Sequence, residues 1–128
     1  MTIRPSPEQA AVIAAPLAPL RVTAGAGTGK TTTMALRLAA LVERGAIEPE
    51  EALGITFTNK AAEELADRLR ASLPDLARAG REVEVTTYHG FAHGLLREFG
   101  PIVGVERQSG VVTPGYARQL LREAQGAA

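Results

Sequence analysis

Between Asn59 and Leu73 the apolar positions recur at intervals of three and four: Ala62, Leu65, Ala66, Leu69 and Leu73. That spacing lays one apolar stripe along a helix. Glu63, Glu64, Asp67, Arg68 and Arg70 fall on its other, solvated face, and Pro74 is expected to end it. Short runs with β-branched or alternating character read as strands at residues 20–24, 53–57 and 83–86. Ser6-Pro7-Glu8-Gln9 reads as a helix start, with Ser6 as N-cap, Pro7 at the first helical position and Gln9 closing a capping box. This first helix should reach about residue 15, before Pro16 and Pro19. Further helices are expected over residues 30–44, closed by Gly45, and 89–99, closed by Gly100-Pro101. A last one should run from Pro114, capped by Thr113, to about residue 124.

Strands alternating with helices of ten or more residues make a parallel, helix-covered sheet, so the expected class is α/β. Three strands are few for such a sheet, as though something had been cut short.

Composition narrows the function. A chain of 128 residues makes one ordinary domain. At 45% hydrophobic and 22% charged it is neither a disordered tail nor a membrane protein, and no apolar run approaches the ~20 residues that cross a bilayer. Without cysteine there is no disulfide, thiolate metal site or catalytic thiol. The opening residues lack the apolar core of a signal peptide, which gives a cytoplasmic expectation. Fourteen basic residues balance fourteen acidic ones, so any nucleic-acid contact must be local. Lys30 and Lys60 are the only lysines, and both fall in motifs.

Ala24-Gly25-Ala26-Gly27-Thr28-Gly29-Lys30-Thr31 follows an expected strand and opens an expected helix. In a phosphate loop, backbone N–H groups of such a turn point at the β- and γ-phosphates and the helix N-terminus adds its positive end. Lys30 is then the phosphate-bridging cation and Thr31 the Mg²⁺ hydroxyl, while Gly25, Gly27 and Gly29 allow close approach. Ala24 stands where the usual pattern has Gly. The motif identifies binding of a nucleotide such as ATP, not the work done with it.

Residues 57–60 follow a strand directly, at the carboxyl end where parallel sheets place ligands. Thr58 and Asn59 can donate to phosphate oxygens, Lys60 can neutralise one, and Phe57 offers a face to a base. From the residues alone, a buried strand-end Phe with a Thr/Asn helix cap outweighs that reading. Gln9 is likewise divided between the capping box and an adenine edge. His89 and His93 sit four apart, but position 90 is Gly and no third His or Cys exists, so a zinc site is not expected.

Taken together, the phosphate loop with Ala24, the upstream Pro7-Glu8-Gln9-Ala10-Ala11-Val12, Ile55-Thr56-Phe57-Thr58-Asn59-Lys60-Ala61-Ala62, and Thr87-Tyr88-His89-Gly90-Phe91-Ala92-His93 resemble the UvrD/Rep-like helicases of superfamily 1. They occur in that family's order and cover nearly the whole chain. The resemblance implies the first RecA-like P-loop domain over about residues 1–105 and the start of a helical accessory subdomain over 106–128. It implies that Gln9 reads adenine and that residues 24–32, Thr32 included, surround ATP and Mg²⁺. It also implies that Phe57, Thr58, Asn59, Lys60, Thr87, Tyr88 and His89 contact single-stranded DNA at a duplex junction. Tyr88 stands where Phe is commoner, and Thr32 where several relatives have an Arg that reaches the nucleotide. The function implied is ATP-driven 3′ to 5′ translocation and unwinding in repair or recombination, with protein partners unspecified.

Hydrolysis also needs carboxylates near Mg²⁺ and the attacking water, usually Asp-Glu after an apolar strand. No such segment occurs, nor do later motifs with transition-state arginines. The expectation is an N-terminal portion that binds nucleotide but does not turn it over. Two alternatives are a non-catalytic, nucleotide-responsive DNA-binding module and a P-loop nucleotide kinase. The kinase would need an arginine lid and an acceptor site, for which nothing after Thr113 serves.

Overall fold

A computed structural model describes residues 4–126. Helix α1 (Pro7–Ala14) starts as its sequence dictates. The Ser6 side chain accepts from the Gln9 N–H, and the Gln9 side chain accepts from the Ser6 N–H. At its other end the last carbonyls would be orphaned. Arg37 of α2 (Lys30–Glu43) and Arg44, which caps that helix, satisfy some of them and the carbonyls just beyond: Arg37 donates to Val12, Ala15 and Pro16 at 2.6–2.9 Å, and Arg44 to Ala14 and Ala15. A 3₁₀ turn (Pro49–Glu51) leads into β1 (Leu53–Thr56), and α3 (Asn59–Ser72) follows, N-capped by the Thr58 hydroxyl. Pro74 ends α3 as expected but also opens a further short helix, α4 (Pro74–Arg78), because its fixed φ suits a first helical position. β2 (Glu84–Thr87) and α5 (Tyr88–Phe99) come next.

The chain is α/β, with a sheet of two parallel strands among the described residues. The register pairs Leu53 with Glu84, Gly54 with Val85, Ile55 with Thr86 and Thr56 with Thr87. Residues 20–24, expected as a third strand, form none. Their backbone joins no ladder, β1 pairs only with β2, and Leu20 and Val22 stay half-exposed. β-branched composition makes a segment fit for a sheet, but a partner strand is what makes it one. Its place is taken by a groove of about 590 Å³ between this segment and β1, lined in part by Leu20, Val22, Met34, Leu38, Leu53 and Ile55.

The core is small: Ala35, Ala52, Leu65, Leu69 and Val83, flanked by Leu38, Ile47 and Val85. Leu65, from the apolar stripe of α3, is fully buried. It lies so close under β1 that a Cβ on Gly54 would come within 3.1 Å of its side chain.

Two compact units divide inside α5, after Phe91. The second contains the rest of α5, a 3₁₀ turn (Gly100–Val103) and α6 (Pro114–Gly126). Within it, the Thr113 hydroxyl accepts from the Tyr116 N–H, as its sequence position requires, and α6 has no buried residue. No helix among the described residues is long and apolar enough to cross a membrane.

Candidate functional site

The phosphate loop is shaped by two left-handed residues. Gly27 has φ +73° and Gly29 +80°, values that side chains resist. Gly29 is also the N-cap of α2, so the loop delivers the chain directly into the helix N-terminus. Thr28 closes the turn by donating its hydroxyl to the Gly25 carbonyl at 2.8 Å. Lys30 curls back over it, its ammonium donating to the carbonyls of Ala24 (3.0 Å) and Gly25 (2.6 Å). Among the described residues, the backbone N–H groups from Gly25 through Thr32 donate to no protein acceptor. A solvent-exposed row of free amides at a helix N-terminus, with a lysine at its lip, is a fit receptor for a polyphosphate. Thr31 lies in the first turn of α2, beside that row.

Gln9 closes the capping box of α1 and also reaches the loop. Its amide oxygen accepts from Ser6 and its Nε2 donates to the Thr28 carbonyl at 2.9 Å, so the capping residue of α1 also braces the loop. A primary amide has two N–H groups and two lone pairs. One of each remains unused.

The second region is built by register. Because Thr56 lies opposite Thr87, the next residues, Phe57 and Tyr88, leave the sheet side by side. Their ring centroids are 5.0 Å apart with the planes tilted by 42°. Phe57 is 85% exposed and Tyr88 52%, so the buried-Phe alternative does not describe this chain. An aromatic pair left in water, where two strands end, is a platform with unsatisfied apolar area. Around it stand Thr58, Asn59 and Lys60, all exposed, and His89, also exposed. The Thr58 hydroxyl accepts from the Ala61 N–H at 3.1 Å, and that of Thr87 from the Gly90 N–H at 3.1 Å. Both threonines therefore shape the backbone under the platform.

Two residues mattered more than their sequence positions suggested. A Cβ on Gly90 would sit 2.5 Å from the Thr86 hydroxyl, so any other residue there would force the Thr86 side chain to rotate or α5 to shift. The signal was a glycine in the first turn of a helix. Arg68, assigned above to the solvated face of α3, is instead half-buried and donates to the Thr32 hydroxyl at 2.7 Å. The correction arises because α2 packs along that edge of α3. No group of three or more His, Cys, Asp or Glu that could hold a metal occurs among the described residues.

Comparison with known proteins shows the family. Residues 5–125 match the model of the UvrD/REP helicase N-terminal domain. The chain is 35% identical over 115 residues to the ATP-dependent DNA helicase PcrA of Leuconostoc citreum, covering 90% of this chain and 15% of that protein. Identity to PcrA of Staphylococcus aureus is 31% over 116 residues, 91% of this chain and 16% of that one. To UvrD2 of Mycobacterium bovis it is 43% over 95 residues, 72% and 13% of the respective chains. The chain thus spans about one-sixth or less of the length of these curated relatives.

Proposed function

This chain belongs to the UvrD/REP helicase family, and from that premise we propose that it is the nucleotide- and strand-binding portion of an ATP-dependent DNA helicase. The whole protein, in this reading, translocates 3′ to 5′ on single-stranded DNA and unwinds duplex ahead of it in repair or recombination, within the cytoplasm.

The observation that carries the reading is the exposed Phe57–Tyr88 pair at the strand ends, in one compact unit with a row of free loop amides. Lys30 leaves the Ala24 and Gly25 carbonyls to take the β- and γ-phosphates, the amides from Gly25 to Thr31 surround them, and Gln9 offers its spare donor and acceptor to adenine. Thr31 holds Mg²⁺, which supplies charge neutralisation on the phosphates when bound. On the other side, bases stack on Phe57 and Tyr88 while Asn59, Lys60, Thr87 and His89 take the backbone. Residues 106–128 begin a helical accessory subdomain.

No acidic pair follows an apolar strand here, so this chain alone binds nucleotide without turning it over. The test is Mg²⁺-dependent ATPase activity of the chain with and without single-stranded DNA, beside Lys30→Ala. Expected is nucleotide binding that depends on Lys30, with no turnover. A rate on the order of one per second, lost in Lys30→Ala, overturns the inactivity.

The non-catalytic, nucleotide-responsive module differs from this only in what the rest of the protein supplies. A nucleotide kinase leaves the exposed aromatic pair without a purpose.

A further inference from the structure

Arg68 is the polar tie between the two regions. One guanidinium nitrogen donates to Thr32 Oγ1 at 2.7 Å and the other to Glu64 Oε1 at 2.7 Å. Thr32 directly follows Thr31 in the first turn of α2, the turn that carries the free loop amides. Arg68 lies on α3, the helix that opens at Asn59 and Lys60 beside the aromatic pair. Among the described residues this is the one side-chain hydrogen bond joining α2 to α3. Ala35 of α2 and Leu65 and Leu69 of α3 share the core beneath, and packing of this kind sets the helices' approach but is less directional than a hydrogen bond. A directional bond fixes their register, and Glu64 anchors the fork to α3.

A second observation separates this arginine from a simple stabilising contact. Its Nε is buried with no hydrogen-bond partner. A buried, unpaired donor is a penalty that an apolar side chain of similar length would avoid. Stability alone does not call for a guanidinium here.

We propose that Arg68 is a positioning residue that couples the phosphate loop to the strand-end platform by holding Thr32 in register with α3. The proposal rests on the functional reading above. Nucleotide drawn onto the loop amides shifts the first turn of α2; Arg68 passes that shift to α3 as a rigid body, and Thr58, Asn59 and Lys60 move with it. Occupancy of one region thereby changes the affinity of the other, and linkage makes the effect reciprocal.

The experiment measures the dissociation constant of this chain for fluorescein-labelled oligo(dT), with and without a saturating non-hydrolysable Mg²⁺–ATP analogue. The ratio of the two constants is the coupling factor. For the wild type it is expected to be about fivefold or more. Arg68→Met should bring the factor close to one, with each ligand alone bound within about twofold of the wild type. Thr32→Val, which keeps shape and loses the acceptor, should abolish the factor, and Thr32→Ser should restore it. Melting curves check that each variant is folded. A wild-type factor in Thr32→Val or Arg68→Met overturns the proposal, as does a wild-type factor of one with both ligands bound. A wild type that binds neither ligand instead removes the functional reading, and the coupling with it.

Discussion

The phosphate loop and the strand-end platform are built on opposite principles. The loop is made of consecutive residues, and its shape comes from two left-handed glycines, the Thr28–Gly25 turn and the entry into α2. The polar groups it leaves free are backbone amides, which every sequence has and only geometry can aim. The platform brings together Phe57 and Tyr88, thirty-one positions apart, through the β1–β2 register, and its exposed surface is side chain. A local site takes its shape from neighbouring residues, although α2, which it opens, packs on the same core. A site made by register depends on the small core beneath it.

The sharpest way to separate the two is to damage that core. Leu65 is fully buried and underlies β1, so Leu65→Ala should cost ~2–5 kcal/mol of stability, read by denaturant unfolding. Oligo(dT) binding should weaken at denaturant concentrations where the nucleotide is still bound. Equal loss of both would show that the loop, too, needs the sheet.

Lys30→Ala attacks the other side. It removes a charge-assisted contact to phosphate worth ~1.5–3 kcal/mol, so nucleotide affinity should fall about tenfold to a hundredfold. Binding of DNA in the absence of nucleotide should be unchanged, which fluorescence titration of each ligand would test.

Phe57→Ala is its counterpart on the platform. Stacking contributes ~1–3 kcal/mol per base, so single-stranded DNA should bind more weakly by up to about a hundredfold, with nucleotide affinity unaltered. Because Phe57 is largely in water, melting temperature should barely move. A large drop in stability would make Phe57 a packing residue after all.

The smallest effect belongs to neither region. Arg81 clasps Glu50 with two hydrogen bonds at 2.7 and 2.8 Å and Glu48 with one at 2.7 Å. The first of these partnerships holds the Glu50 carboxyl at about 2, below its ordinary 4.5. The folded chain therefore takes up that proton less readily than the unfolded one. The stabilisation is complete above about pH 4.5 and is lost progressively as pH falls toward 2. The pair is solvent-exposed, so the slope should be slight. Melting temperatures of wild type and Glu50→Gln should differ slightly near neutrality and converge at about pH 2.

How much was legible in advance follows the same division. Caps and helices were written locally: Ser6 with Gln9, Thr113 before Pro114, and the apolar stripe of α3 appear where their spacing put them. Strand 83–86 is found one residue later, at Glu84–Thr87, and its pairing with β1, which no segment alone encodes, is what sets Tyr88 beside Phe57. The strand over residues 20–24 fails because pairing is not a property of a segment. Arg68 looked like a surface charge because periodicity marks the face turned from the stripe, not which edge of that face a second helix will cover.

The sequence by itself determined the family and the α/β class, through motifs and elements spaced along the chain, and the caps and glycine turns, which rest on residues within a few positions of one another. Only the tertiary structure decided that Phe57 stands in water against Tyr88, that Gln9 braces the loop while capping its helix, and that Arg68 reaches Thr32. Those facts depend on which distant segments meet, and the free energy of their meeting belongs to pairs of segments and to neither alone.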